Sequence, residues 1–483
     1  MSNRNYYLLL AFALFIAVVV HIIFLLNGFY AISADESGRT LDAYFWITNN
    51  SQQSDVWLPF YRILIGNALL LHHDLFIVPR IISFFFGIGV IGIIVWLTNE
   101  LFQKKEITIV AAFLTAIFPS RIILAVVPLT EIIFIFSVLC AFAFYIRWNN
   151  SQKTPSLFFV SICFGILTTI RYEGWLFAFA FLLLLAYKKI ITKELKLSFA
   201  PLLLVCLCVC GFPVYWLIDN ALREGSPLFF LAQTSANYDR VPTSFMKLVW
   251  RNIASQFFLW NILSFNIIGL FALFTMARTH FIAKQLVILF GIPFLFLSFL
   301  QVFGHTLPTH NPWRIASVWS VLLLPFTGYF LWKKLFSMHK KYFSIAFLVI
   351  VFCFAQTLYF VRHSYFTEGE KNAGEFLEQK NLIESHKNVL IENPDWYYLN
   401  IMIASQYPEK FIFNSGFNPY EPNQKIIDTE AALSESILQE KQIGILVMKS
   451  ARYKTYLSRY SFIQKEKDFG EWSIYKHIKE NKQ

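Results

Sequence analysis

The chain has 483 residues, of which 57% are hydrophobic and only 15% charged, with a net charge of +11. That excludes an ordinary soluble protein, whose surface needs far more polar and charged cover. It also argues against a nucleic-acid-binding module. Residues 363–483 are close to neutral, with 15 basic and 17 acidic side chains. The other 362 residues hold 26 basic and 13 acidic ones, so the excess sits among apolar blocks, where membrane topology places it.

In chain order the apolar runs lie near 7–27, 77–98, 107–119, 131–147, 156–170, 174–187, 198–218, 255–277, 285–303, 314–332 and 343–361. Most approach the roughly 17–25 residues that cross a bilayer. The chain is therefore read as a polytopic α-helical membrane protein of about 11 transmembrane helices. The first run ends before "AISA", a small-residue stretch that a signal-peptide cleavage site would also carry. Its length favours a retained anchor. With a cytoplasmic N-terminus, the Lys-rich segments "QKKE", "YKKIITKELK" and "WKKLFSMHKKY" fall inside. Arg39, Arg62, Arg80, Arg121, Arg171, Arg223, Arg251 and Arg314 fall outside. This is the positive-inside pattern, and an odd number of spans places the C-terminus outside. Topology needs only charge, whereas the planar fork of Arg suits phosphate or carboxylate. All six cysteines lie in apolar runs without metal-site or disulfide spacing.

The first outer loop, 28–76, is expected to carry interfacial helices. "DVWLPFYRILIGNALLLHHDLF" is apolar but too short and too polar to span, and Trp46, Trp57, Tyr61 and Arg62 suit headgroup level. Residues 1–361 form one membrane domain on this reading. Residues 362–483 form a small soluble α/β domain outside the membrane that stabilises the protein or presents substrate. "NVLIE", "KFIFN" and "IGILVMKS" are β-prone, helical stretches lie between them, and "SFIQKEKDFGEWSIYKHI" reads as a closing hairpin.

The loop opens with "AISADESGRT". Ser33-Ala34-Asp35-Glu36 fits the capping box S-x-x-E, in which Glu36 reaches back to the Ser33 amide. Capping accounts for Glu36 and leaves Asp35 unexplained. Further ionisable groups recur at the outer ends of other spans: Glu131 in "PLTE", Arg171 and Glu173 in "RYEG", and His305, His310 and Arg314 in "GHTLPTHNPWRIA". Such groups near membrane depth are costly and tend to be functional.

The order of "ADESGR" after span one, "DVWLPFYRILIG" in the first loop, "PLTE" at the fourth span and "RYEG" beyond it resembles the GT-C superfamily of membrane glycosyltransferases. The protein O-mannosyltransferase and aminoarabinose-transferase type is the nearest in pattern. The resemblance spans about residues 1–361. It implies a sugar donor carried on a polyprenyl phosphate and an inverting transfer at the outer face of a bacterial cytoplasmic membrane. The acceptor is a glycan, lipid or protein. Asp35, Glu36 and Glu131 are the expected catalytic carboxylates, with Asp35 as general base. Arg171, Arg314, His305 and His310 are expected at the donor phosphate, with Arg39 and Glu173 supporting. No cofactor or metal is required for a monophosphate leaving group, although a divalent ion at Asp35 and Glu131 is compatible with the pattern. Two rivals are an O-antigen polymerase or ligase type of enzyme using a diphosphate-linked glycan, and a transporter. The early acid-bearing loop disfavours the first. The lack of internal repeats and midplane polar sites disfavours the second.

Overall fold

The computed structural model describes residues 1–49, 56–193, 198–239, 267–303, 312–335, 364–379, 387–393, 396–413 and 435–478. His305, His310 and the run at 343–361 lie outside these residues. The membrane part begins with α1 (Asn3–Leu26), then two shorter helices, α2 (Asp35–Asn49) and α3 (Pro59–Leu71), in the segment expected to lie at the interface. It continues with α4 (Ile77–Phe102), α5 (Lys105–Ile117), α6 (Pro119–Val126), α7 (Thr130–Ser151), α8 (Thr154–Ile170), α9 (Glu173–Ala186), α10 (Phe199–Glu224) and α11 (Phe229–Asp239). Its last described helices are α12 (Ile267–Ala277), α13 (Phe281–Phe303), α14 (Pro312–Leu322) and α15 (Leu324–Phe330).

Among the described residues, six helices are long and apolar enough to cross a membrane, and two bent pairs bring the number to eight. Two of the expected continuous spans are broken. The 107–119 run bends by 54° between α5 and α6, and the 314–332 run bends by 44° between α14 and α15. Proline explains the first break. Pro119 opens α6 and holds Phe118 extended, because the residue before proline is pushed out of the helical region. The carbonyls left free at the end of α5 are then met by Arg121, whose guanidinium donates to Thr115 O (3.1 Å) and Ala116 O. Arg121 thus caps a helix C-terminus rather than forming an anion site.

Burial ranks the helices. In α7, 72% of the apolar stretch is enclosed, against 17% in α10. Peripheral helices turn Phe12, Phe15, Phe85, Leu207 and Phe296 outward, an apolar surface that only lipid covers without cost. Small residues let the inner helices approach closely. A Cβ on Gly87 of α4 would collide with that of Ala125 in α6. The N-terminus of α7, the most enclosed of these six spans, lies among protein, and Glu131 in its first turn is fully buried.

The C-terminal part is the expected α/β unit. Strands β1 (Asn388–Ile391), β2 (Phe411–Phe413), β3 (Ile443–Met448), β4 (Ile463–Phe469) and β5 (Trp472–His477) form one sheet in the order β2-β1-β3-β5-β4. The first three strands are parallel and the rest antiparallel. The parallel strands are buried on both faces, as parallel sheets require. The β4–β5 hairpin turns through Gly470 at φ +61°, a left-handed conformation that glycine adopts without strain. Helices α16 (Glu368–Gln379), α17 (Tyr398–Ala404), α18 (Glu435–Glu440) and α19 (Ala451–Leu457) pack around the sheet. Of these, α17 rests on α2.

Candidate active site

The start of α2 is built locally. The Ser33 hydroxyl accepts from the Asp35 amide at 3.3 Å. The Glu36 carboxylate accepts from the Ile32 amide (2.7 Å), the Ser33 amide (3.2 Å) and the Ser33 hydroxyl (2.6 Å). Both Glu36 oxygens are thus engaged in hydrogen bonds within the turn. Burial pushes the Glu36 carboxyl up to about 7, against the opposing pull of Arg314 and of the Ser33 and Ile32 donors. Ser33→Ala is expected to cost about 1 kcal/mol, the usual loss for an N-terminal cap, read as a lower thermal unfolding midpoint in detergent.

With Glu36 turned back into the cap, Asp35 points elsewhere. Its Oδ2 accepts from Arg314 NH1 at 2.6 Å. Arg314, in the first turn of α14, also donates its Nε to Glu131 Oε1 at 2.6 Å, and its NH2 lies 2.6 Å from the same oxygen. From the other side Arg171 NH1 reaches Glu131 Oε1 at 2.7 Å and Thr130 Oγ1 at 3.1 Å. Arg171 also forks onto Glu173 through NH2–Oε1 (2.7 Å) and Nε–Oε2 (3.2 Å). The result is an alternating array, Asp35–Arg314–Glu131–Arg171–Glu173, contributed by α2, α14, α7 and the α8–α9 turn. Buried ions of this kind persist only when each has an oppositely charged, hydrogen-bonded partner.

The α8–α9 turn is shaped for this task. Arg171 is extended at the end of α8, and Gly174 lies so close to the Leu167 carbonyl that a Cβ would collide with it. Gly174→Ala is therefore expected to lower stability by about 1–3 kcal/mol through overpacking, and to displace Arg171 and Glu173 together. The unfolding midpoint in detergent measures the first effect, and affinity for a polyprenyl phosphate the second.

Arg39 follows Asp35 by one helical turn, on the same face of α2. Its guanidinium lies 4.6 Å from the Trp57 ring centroid. Its Nε has no hydrogen-bond partner, and no hydrogen bond to its terminal nitrogens is formed among the described residues. Burial raises the Asp35 carboxyl, but Arg314 and Arg39 outweigh it and hold the group below the ordinary value.

The structure thus brings together Asp35, Glu131, Arg171, Glu173 and Arg314, with Arg39 beside them. Every guanidinium nitrogen of Arg171 and Arg314 is engaged by a carboxylate or by Thr130, whereas the Arg39 guanidinium makes no hydrogen bond among the described residues. Glu131 is enclosed between the two guanidiniums of Arg171 and Arg314. Among the described residues no group of three or more His, Cys, Asp or Glu is placed to hold a metal. Thr130 and Trp57 were not foreseen as site residues, and no sequence signal marks them apart from their nearness to Glu131 and the first loop.

No protein-family model matches the chain. No curated protein matches it in sequence. Solved structures do match. The chain is similar over 99% of its length to 99% of ArnT from Cupriavidus metallidurans bound to undecaprenyl phosphate, at 13% identity and a TM-score of 0.69. It is also similar to the Archaeoglobus fulgidus oligosaccharyltransferase in its apo form, at 12% identity and a TM-score of 0.54, covering 93% of this chain and 70% of that one. The archaeal oligosaccharyltransferase AglB in complex with an inhibitory peptide and a dolichol-phosphate matches at 12% identity and a TM-score of 0.52, over 92% and 69% of the two chains. The first match reaches past residue 361, so the likeness extends through the C-terminal sheet that the sequence pattern left unmatched. From α1 to the last strand, the chain shares the fold of ArnT and, over most of its length, that of the archaeal oligosaccharyltransferase.

Proposed function

We propose that the protein is a glycosyltransferase that moves a sugar from a polyprenyl-phosphate carrier to an acceptor at the outer face of a bacterial cytoplasmic membrane, with Asp35 as general base. One observation carries this reading. Asp35 is the carboxylate of the array that stays accessible, with 41% of its side chain exposed against 0% for Glu131 and 4% for Glu173. Its Oδ1 accepts no hydrogen bond among the described residues. An ionised carboxylate with one oxygen fixed and the other open is what a base needs to take a proton from an incoming hydroxyl or amine.

The acceptor attacks the anomeric carbon and a new bond to that carbon forms. The anomeric carbon–phosphate oxygen bond breaks on the opposite side, so the configuration inverts. The electron pair leaves with the polyprenyl phosphate and the acceptor proton passes to Asp35 Oδ1. Negative charge gathers on the departing phosphate, where a fixed cation lowers the barrier. Arg39 takes that part, on its platform of Trp57, because its nitrogens are free to meet phosphate oxygens. Arg314 and Glu131 hold Asp35 in register. The fold likeness to a protein bound to undecaprenyl phosphate and to one in complex with a dolichol-phosphate supports a lipid-phosphate donor. Arg39→Ala is expected to raise the donor KM about tenfold with little change in unfolding midpoint, which is the pattern of a lost binding contact.

The test uses purified protein in nanodiscs and a radiolabelled sugar on either a polyprenyl monophosphate or a polyprenyl diphosphate, with a membrane extract as acceptor. Label moving from the monophosphate with inverted configuration supports the proposal. Transfer only from the diphosphate favours the polymerase or ligase rival. Translocation of labelled solute into proteoliposomes without any transfer favours the transporter.

A further inference from the structure

The segment that delivers Asp35 is gripped by the C-terminal unit. The Ser37 hydroxyl, two residues beyond Asp35, donates to Asn400 Oδ1 of α17 at 2.7 Å, and both side chains are buried. Asn400 in turn donates through Nδ2 to the Tyr365 carbonyl at 3.5 Å. Tyr365 donates its amide to the Ala31 carbonyl at 2.7 Å, and the Ser364 hydroxyl accepts from the Tyr30 amide at 3.0 Å. On the membrane side Arg80 donates to the Tyr30 carbonyl at 2.8 Å. Its guanidinium stacks 3.8 Å from the Phe76 ring centroid, with the Phe366 ring at 5.7 Å. Glu36 ties Ile32 and Ser33 into the same unit. Residues 30–37 are therefore held at both ends by groups lying more than 300 residues away in the chain.

Among the described residues the Asp35 carboxylate accepts one hydrogen bond, from Arg314. Its position therefore depends on the first turn of α2 as well as on Arg314, and a displacement near 1 Å at a reacting group can cost about a hundredfold in rate. We propose that Asn400 is a positioning residue, acting through Ser37 to set the first turn of α2 and hence the Asp35 carboxylate. The C-terminal unit is on this view part of the catalytic geometry. The inference rests on Asp35 being the base.

The experiment compares Asn400→Leu, Ser37→Ala and the double variant with wild type, and runs Asp35→Asn alongside. Each single variant is expected to lower kcat about tenfold while the donor KM stays within twofold. The double variant should be no slower than either single, because both remove one contact. Hydrogen exchange at the amides of residues 32–37 should accelerate in Asn400→Leu. Wild-type kcat in either well-folded single variant, or losses that multiply in the double, overturns the proposal. If Asn400→Leu does not fold, Ser37→Ala alone decides between these outcomes by kcat and exchange. Normal transfer by Asp35→Asn would instead refute the base assignment. An inactive Asp35→Asn beside a fully active Ser37→Ala refutes the positioning role alone.

Discussion

Glu131→Ala is expected to lower stability by about 3–5 kcal/mol, the usual consequence of removing one member of a buried ion pair and stranding its partners. The fall should be read as a large drop in the thermal unfolding midpoint in detergent. The reason is geometric. One oxygen, Oε1, receives Arg171 NH1 and lies within 2.6 Å of two Arg314 nitrogens, so its loss leaves two enclosed guanidiniums without their shared anion. Transfer should fall at least a hundredfold in whatever folded fraction remains, because Arg314 then fixes Asp35 from an unanchored position. Glu131→Gln separates charge from shape. It keeps the volume and one acceptor oxygen but not the negative charge, so it should fold better than the alanine variant and still transfer slowly. An unchanged midpoint in both variants would mean that the array is not what holds these helices together.

What could be read from the sequence was local. The Ser33–Glu36 cap was legible because it spans four residues and depends on hydrogen bonds within one turn. The apolar runs were legible because bilayer thickness fixes their length, although composition did not show that the runs at 107–119 and 314–332 are bent. The three short buried strands and the closing hairpin were legible from their β-prone apolar runs and a turn, although the parallel pairing of the three was not. The pairing of Asp35 with Arg314 was not, because it joins positions 279 residues apart and no periodicity encodes which of several arginines meets which acid. Residue type, position at the outer ends of spans and the family resemblance all point Arg171 and Arg314 at phosphate. Type cannot tell a cation already held by carboxylates from one left open, and on that distinction the proposed phosphate role falls to Arg39. Asn400 was invisible for the same reason: an Asn in a short apolar helix carries no signal until Ser37 is found against it.

Asp35→Asn is expected to lower transfer by about 10²–10⁴-fold, the range supplied by a positioned general base, while leaving the unfolding midpoint nearly unchanged. Asparagine matches aspartate in shape and keeps an oxygen for Arg314, so the array loses little geometry, but the amide cannot accept the proton. The pH dependence gives an independent reading. Arg314 and Arg39 hold the Asp35 carboxyl below its ordinary value despite burial, so its ionised form survives as pH falls through the usual aspartate region near 3.9. The ion pair with Arg314 likewise stabilises the fold above that region and is lost only as pH drops through the lower native value. The wild-type kcat should therefore stay flat from about pH 8 down to about pH 5. An acid limb centred near 7 would point instead to Glu36, whose carboxyl is pushed up to about 7. Its loss in Glu36→Gln, with Asp35→Asn still active, would transfer the role of base from Asp35 to Glu36.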